Sequence, residues 1–270
     1  YSWSAEIQNI LFTEIYKNKA ICLNSEKKMD ALFGQRPISL KALTDFSNLD
    51  SHAKKHLKNV YACLTLSTIV AGVGAFVDIY TNFLASVSGL VSLFGSIGFL
   101  LAVAWTENKP KNQLQRLGYL MGFSFCVGLS LGPLIGHVIK INPTIVATAL
   151  FSTSLIFLCF SLSALWAEQR SYLYLGGTLL SALSLMCLLS FINIFFKSEM
   201  IYQFHLYGGL LLFCAFILYD TQLIVEKRRM GDTDFIWHSV DLFLDFVNIF
   251  RRLLIILGNK EEKKKNKRSE

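Results

Sequence analysis

Apolar residues fall into seven segments of about twenty residues, separated by short polar stretches. Segments of this kind are typical of helices that cross a bilayer, whose apolar core takes roughly 20 residues of helix. The predicted spans are Leu57–Tyr80, Phe83–Trp105, Leu117–Ile139, Thr144–Ala167, Tyr172–Phe196, Phe204–Val225 and Phe235–Leu257. The seventh is amphipathic. We therefore predict an all-α polytopic membrane protein with six clear spans and a seventh helix that either crosses inside the bundle or is re-entrant.

The seventh segment carries a stripe of polar side chains. His238, Asp241, Asp245, Asn248 and Arg252 follow one another at spacings of three, four, three and four, which places them on one helix face. A charge at mid-membrane costs about 2.5–3.5 kcal/mol on insertion scales, so carboxylates that are kept there usually have a function. We expect this face to turn into the interior of a bundle.

Asp220 in the sixth segment is a second candidate carboxylate. It either reaches interfacial water beside Arg228 or Arg229, or meets Asp245 inside the bundle. Two close carboxylates in a medium of low dielectric share one proton, because both cannot ionise cheaply. When deprotonated they offer hard oxygen ligands to Ca²⁺. We interpret Asp220 and Asp245 as a calcium and proton gate, with Asp241 as an accessory group.

The composition agrees with a membrane domain. Of the 270 residues, 53% are hydrophobic and 17% are charged, whereas about 25% are charged in soluble domains. The net charge of +7 sets orientation and attracts anionic lipid headgroups, and we expect no nucleic-acid partner. No nucleotide loop, zinc motif or hydrolase elbow is visible in the sequence, so we expect neither an enzyme nor a stoichiometric cofactor. Five cysteines lie singly within predicted spans, as core side chains without disulfides: Cys63, Cys126, Cys159, Cys187 and Cys214.

Lysine and arginine predict the orientation. The N-terminal flank and the second, fourth and sixth loops are cationic, whereas the alternate loops carry only Lys140 and Lys197. The positive-inside rule therefore places the N-terminus and the even-numbered loops in the cytoplasm. The tail at 258–270 has six cations and also favours the cytoplasm. A re-entrant seventh segment satisfies that preference, and a full span contradicts it.

Several blocks of the chain match one known family. They read HLKNVYA (56–62), GLSLGPLI (128–135) followed by ATALF (147–151), FSLSALWAEQRSYLYLGG (160–177), LYDTQLIVEK (218–227) and GDTDFIWHSVDLFLDFVNIFRRLL (231–254). From about Met29 onward the chain resembles the Bax inhibitor-1 family, also called the transmembrane Bax inhibitor motif family, and is most similar to its endoplasmic-reticulum members. The last two blocks together are specific to this family.

The resemblance implies seven helices with the last at the centre, and a pH-sensitive calcium leak from the endoplasmic reticulum. The family's acidic pair matches Asp220 and Asp245. The resemblance also implies suppression of cell death and of stress signalling, with anti-apoptotic Bcl-2 relatives and stress sensors as partners. Some bacterial relatives have an arginine near the end of the second span that latches an aspartate. The corresponding stretch here is AVAWTENKPK, so a counter-charge would come from Arg116 or Arg252.

These observations predict a multi-pass protein of the endoplasmic-reticulum membrane, with a cytoplasmic N-terminus and Ca²⁺ and H⁺ as permeant or regulatory ions. The sequence is also compatible with a homo-oligomer. We divide the chain into an upstream extension (1–28), an N-terminal segment (29–56), a transmembrane domain (57–257) and a basic tail (258–270). The rival hypotheses are a membrane adaptor without transport and an H⁺/Ca²⁺ exchanger. An aspartyl protease ranks last, because LFLDF lacks the Gly-x-Gly-Asp context of that class.

Overall fold

The computed structural model describes residues 51–81, 88–167 and 171–269. The extension at 1–28, most of the N-terminal segment and Arg170 lie outside the described residues. Within the described ranges the regular structure is helical, with seven α-helices and two short 3-10 turns. The helices are α1 (Ser51–Thr81), α2 (Ser88–Trp105), α3 (Gln113–Ile141), α4 (Thr144–Trp166), α5 (Gly176–Phe196), α6 (Glu199–Arg229) and α7 (Phe235–Ser269).

The outer surface of the bundle is apolar. Five of the described helices are long and apolar enough to cross a membrane, and α2 contributes a shorter apolar stretch. Large hydrophobic side chains point outward, among them Phe76, Phe151 and Phe195. An exterior of this kind suits lipid, since a soluble protein rarely exposes extended apolar patches. The protein is therefore a multi-pass membrane protein built as a helical bundle, as predicted.

Small residues let α1 and α3 approach closely. A Cβ atom on Gly128 would collide with the backbone carbonyl of Ala71, and one on Gly74 would collide with that of Phe125. Gly132 lies against the side chain of Asp78. Helices that associate in lipid depend on such close packing, because the apolar environment supplies little hydrophobic drive between them.

The five cysteines that the sequence placed in spans are all free thiols, as expected. Cys63, Cys126 and Cys214 are buried, in agreement with a packing role. Cys159 differs from the prediction because it is exposed on α4, and Cys187 is half-buried.

Helix α7 forms the centre of the bundle. It packs against α1, α3, α4 and α6, and side chains on several of its faces are fully buried, including Val240, Leu242 and Phe243. Sequence alone could not separate this arrangement from a re-entrant segment. A helix enclosed on four sides can carry polar residues that would be too costly against lipid.

The two ends of α7 show that it traverses the whole bundle. Arg116, at the start of α3, is paired with Asp234 directly before α7, and Lys265 near the end of α7 donates a hydrogen bond to the Ile141 carbonyl at the end of α3. Helix α7 therefore runs parallel to α3 as one continuous helix of 35 residues, about 52 Å long. The re-entrant alternative is not adopted.

This crossing separates the basic tail from the cationic loops. We call the end that holds the α2–α3 and α6–α7 connections the loop end, and the other the tail end. Because α7 crosses, the charge preference of the tail and that of the loops cannot both be met in this fold. The buried contacts of α7 from Ile236 to Gly258 are the physical reason that such a conflict is tolerated.

Candidate functional site

The polar stripe of α7 points into the bundle. Asp245 is 0% exposed, and His238, Asn248 and Arg252 are also buried, whereas Asp241 is half-buried. Most of the other side chains between Phe235 and Leu257 are hydrophobic and pack on neighbouring helices. The inward orientation that the spacing predicted is therefore present in the structure.

Asp220 and Asp245 lie at the same depth. Asp220 is nine residues before the end of α6, and Asp245 is ten residues after the start of α7. At a rise of about 1.5 Å per residue, each lies roughly 14–15 Å along its helix from the short connection. The two helices pack against each other, and Asp220 is only 6% exposed. This burial disagrees with the alternative in which Asp220 reaches interfacial water.

Tyr219 connects the third carboxylate to the same region. The charges of Asp220 and Asp241 both act on its hydroxyl, so both carboxylates lie near one phenol. The Tyr219 ring packs against Gly176 at the start of α5, where a Cβ atom would meet the ring and its hydroxyl. Asp241 therefore belongs to the electrostatic surroundings of Asp220, and its accessory role stays a prediction.

Two arginines are buried beyond the acidic pair. Arg251 is 1% exposed and Arg252 is 3% exposed, so neither reaches the headgroups as a snorkelling side chain would. The guanidinium of Arg252 lies over the Phe213 ring, 4.9 Å from its centroid, and faces Gly209 on α6. Arg252 is two turns beyond Asp245, which places positive charge about 10 Å further along the same stripe.

Arg116 binds a different carboxylate from the one expected. Its Nη1 and Nη2 atoms donate to the two oxygens of Asp234 at 2.8 and 2.6 Å, and it also lies near the Val103 carbonyl at the end of α2. Asp234 in turn accepts a hydrogen bond from the backbone of Trp237 at 3.0 Å and so caps α7. Arg116 thus fastens α2 and α3 to the first turn of the central helix. An acidic residue just before an amphipathic run is a helix-start signal that would have pointed to Asp234.

His238 and Asn248 have local partners. The Nδ1 atom of His238 lies 2.9 Å from Nε2 of His56 on α1, and its Nε2 atom lies 3.6 Å from a carboxylate oxygen of Asp232. Asn248 donates to the Leu244 carbonyl of its own helix at 2.8 Å. The sequence analysis missed His56, although it lies in the HLKNVYA block. A single histidine at the start of an apolar span carries no pattern that indicates its partner.

Comparison with known proteins identifies the family. Residues 53–262 match the protein family described as "Inhibitor of apoptosis-promoting Bax1". The chain belongs to this family. Every candidate site residue, including His56 and Asp234, lies within the matched range.

Members of the Bax inhibitor family from animals and plants resemble most of the chain. Bax inhibitor 1 of Bos taurus is 48% identical over 233 residues, which cover 86% of this chain and 98% of that protein. Bax inhibitor 1 of Homo sapiens is 47% identical over 234 residues, with the same two coverages. Bax inhibitor 1 of Arabidopsis thaliana is 39% identical over 230 residues, which cover 84% of this chain and 90% of that protein. The family resemblance seen in the sequence blocks is confirmed.

Proposed function

We propose that this protein is a proton-controlled Ca²⁺ leak of the endoplasmic-reticulum membrane, and that it suppresses apoptosis by lowering the releasable calcium store. The observation that carries the proposal is the burial of Asp220 and Asp245 at equal depth, on two helices that pack together in the bundle. Membership in a family named for inhibition of apoptosis supports the cellular role.

The gate follows from the charge of this pair. With one shared proton the two carboxyl groups attract each other through a hydrogen bond, and the helices stay together. Loss of that proton places two negative charges in a medium of low dielectric, and they either separate or take up a cation. Protonation therefore selects between two arrangements of α6 against α7.

The ligand chemistry supports passage rather than storage of calcium. Tight Ca²⁺ sites take about six to eight oxygen ligands, whereas two carboxylates supply at most about four. A cation held by Asp220 and Asp245 would complete its shell with water, and such a weak site releases the ion readily. Permeation needs binding of this strength, since an ion that binds tightly leaves slowly.

The membrane orientation is part of the proposal. The loop end holds Lys109, Lys111 and the basic end of α6, which favour the cytoplasm by the positive-inside rule. In this orientation the tail of α7 faces the lumen. Its exposed lysines would then lie beside the lumenal mouth of the bundle.

Calcium flux into liposomes tests the proposal. Purified protein is compared with Asp220→Asn and Asp245→Asn while the pH is stepped from about 5 to about 8. We expect wild-type flux to depend on pH and each substitution to remove that dependence. Asp78→Asn is the matched control, because Asp78 is a half-buried carboxylate at the tail end of α1. Unchanged flux in Asp245→Asn would reject the gate.

The same preparation separates the rival functions. An exchanger would drive Ca²⁺ uphill when a proton gradient is imposed, whereas a leak only dissipates its gradient. An adaptor depends on its exposed surface, and the described tail offers the exposed lysines Lys263, Lys264 and Lys267. Their joint replacement by glutamine keeps the helix and removes the charge. Lost protection of cells with normal flux in liposomes would favour the adaptor.

A further inference from the structure

We propose that His56 and His238 form a proton-binding site at the loop end, separate from the acidic pair, which holds α1 against the first turn of α7 until a second proton enters it. The inference does not depend on the proposed leak. It rests on the geometry of two buried imidazoles from helices that are far apart in sequence.

The two rings meet through one nitrogen each. Nε2 of His56 lies 2.9 Å from Nδ1 of His238, and the rings cross at 78° with centroids 5.2 Å apart. His56 is 6% exposed and His238 is 1% exposed, so no bulk water separates them. A nitrogen–nitrogen distance of this length is a hydrogen bond, and it requires that one of the two facing atoms carries a proton and the other does not.

Asp232 lies beside the second nitrogen of His238. This atom, Nε2, is 3.6 Å from a carboxylate oxygen of Asp232, which is beyond hydrogen-bond distance, so the carboxylate acts on it only through its charge. That charge favours the tautomer of neutral His238 in which Nε2 carries the proton and Nδ1 accepts. In this tautomer His56 donates from its Nε2 atom to His238.

The number of protons decides whether the contact survives. A proton added to the other nitrogen of His56 makes that ring a cation, which still donates to His238. A further proton on Nδ1 of His238 would leave two N–H groups facing each other between two cations, and the hydrogen bond is then lost. The closed pair therefore holds at most one added proton, and a second one separates the rings. Two interacting sites of this kind titrate as a unit.

Burial and the charged groups of the neighbouring elements set the balance. Burial of the two rings opposes added protons most, and Lys227 and Arg228 at the end of α6 oppose them further. Asp232 and Asp234 in the α6–α7 connection favour them. Asp234 is engaged by Arg116 of α3, which reduces its share of that attraction. The second proton therefore enters only on the acid side of the ordinary histidine range, whose centre is about 6.5.

Separation of the rings loosens the start of the central helix. The next turn of α7 meets α1 at Ser239, whose hydroxyl lies 3.2 Å from the Val60 carbonyl and 2.6 Å from the Phe235 carbonyl of its own helix, so one proton is shared between them. Two cations between these helices act against that contact. Acid should therefore expose the backbone amides of the first turns of α7 while the distant half of α7 stays protected.

Hydrogen–deuterium exchange tests this site in the full-length protein. Exchange of the first turns of α7 is compared between about pH 7.5 and about pH 3, after correction for the intrinsic rate, because burial of His238 moves entry of the second proton into strong acid. We expect an acceleration of about tenfold in the wild type. His56→Gln keeps a donor and an acceptor at the Nε2 position but cannot charge, so it should remove the acid response. His238→Asn removes the chargeable ring on α7 and should also remove the acid response. This variant tests the site if His56→Gln fails to fold.

Two controls separate this site from the acidic pair. His52→Gln replaces an exposed histidine one turn earlier on α1 and should leave the acid response unchanged. Asp245→Asn should also leave it unchanged. The inference is overturned if wild-type exchange is flat, if both histidine variants keep the response, or if Asp245→Asn abolishes it.

Discussion

The first turn of α7 and its middle both bury polar groups, but the charges of these groups are arranged in opposite ways. At the first turn, opposite charges meet directly, with two short bonds between Arg116 and Asp234. In the middle, two groups of the same sign, Asp220 and Asp245, lie at one depth, and the buried arginines lie two turns further on. The Arg116–Asp234 ion pair keeps its charges over a wide pH range, whereas the two carboxylates change their energy with every proton gained or lost. We therefore call this ion pair the fastening, as distinct from the proton-binding His56–His238 site in the same turn. Under the proposed function, the region of Asp220 and Asp245 is the responsive middle.

The largest loss of stability is expected from breaking the ion pair between Arg116 and Asp234. Arg116→Ala leaves Asp234 partly buried without its cation, and removal of one partner of a buried ion pair costs about 3–5 kcal/mol. We expect the lower part of this range, since the side chain of Asp234 retains 19% exposure. The free energy of unfolding in detergent or bicelles measures the loss.

A double variant sharpens that result. Asp234→Asn keeps a side chain that can cap α7 but removes the charge, so adding it to Arg116→Ala should recover part of the lost stability. Strictly additive losses in the double variant would contradict direct coupling between the two side chains. Arg116→Lys should be intermediate, because an ammonium cannot make both bonds at once.

A smaller effect is expected at Gly209, where the middle of the bundle makes room for a buried cation. A Cβ atom there would collide with the guanidinium of Arg252, so Gly209→Ala must push that group off the Phe213 ring. Overpacking of this kind costs about 1–3 kcal/mol. Unfolding measurements report the cost.

The matched control is Gly98→Ala on α2. The space around Gly98 is open, and alanine is the better helix former by about 1 kcal/mol, so this change should be neutral or stabilising. If Gly209→Ala is equally well tolerated, the contact between Gly209 and Arg252 does not constrain the packing of α6 against α7.

The sequence predicted the responsive middle better than the fastening, for a physical reason. Spacing along one helix placed His238, Asp245 and Arg252 on a common inward face, because helical periodicity is a local property. The short α6–α7 connection also let the depth of Asp220 be related to that of Asp245. Contacts between distant segments, such as Arg116 with Asp234, leave no trace in local periodicity. For that reason the sequence offers Arg116 and Arg252 as alternative counter-charges for the acidic pair, whereas the structure pairs Arg116 with Asp234.

The path of α7 shows the same limit. Charge in the tail argued for a re-entrant segment, and the polar stripe argued for burial, and each argument was sound by itself. The contacts of α7 with α1, α3, α4 and α6 decide between the two arguments. These contacts join distant segments and cannot be predicted from the local sequence pattern. The hydrogen bond from Lys265 to the Ile141 carbonyl shows that α7 reaches the tail end of the bundle.

The smallest effect is expected at Asn248, a stripe residue whose side chain donates a hydrogen bond within its own helix. Its amide donates to the Leu244 carbonyl, which the backbone of α7 already engages, so Asn248→Ala removes no cross-helix contact of the described residues. Asn248 is 1% exposed, so alanine leaves a small cavity, but its higher helix propensity offsets part of that cost. We expect a loss of at most about 1 kcal/mol in unfolding free energy. Flux and its pH dependence should stay as in the wild type. A loss of several kcal/mol, or altered flux, would mean that Asn248 belongs to the responsive middle, and the polar face would then act as a unit from Asp245 to Arg252.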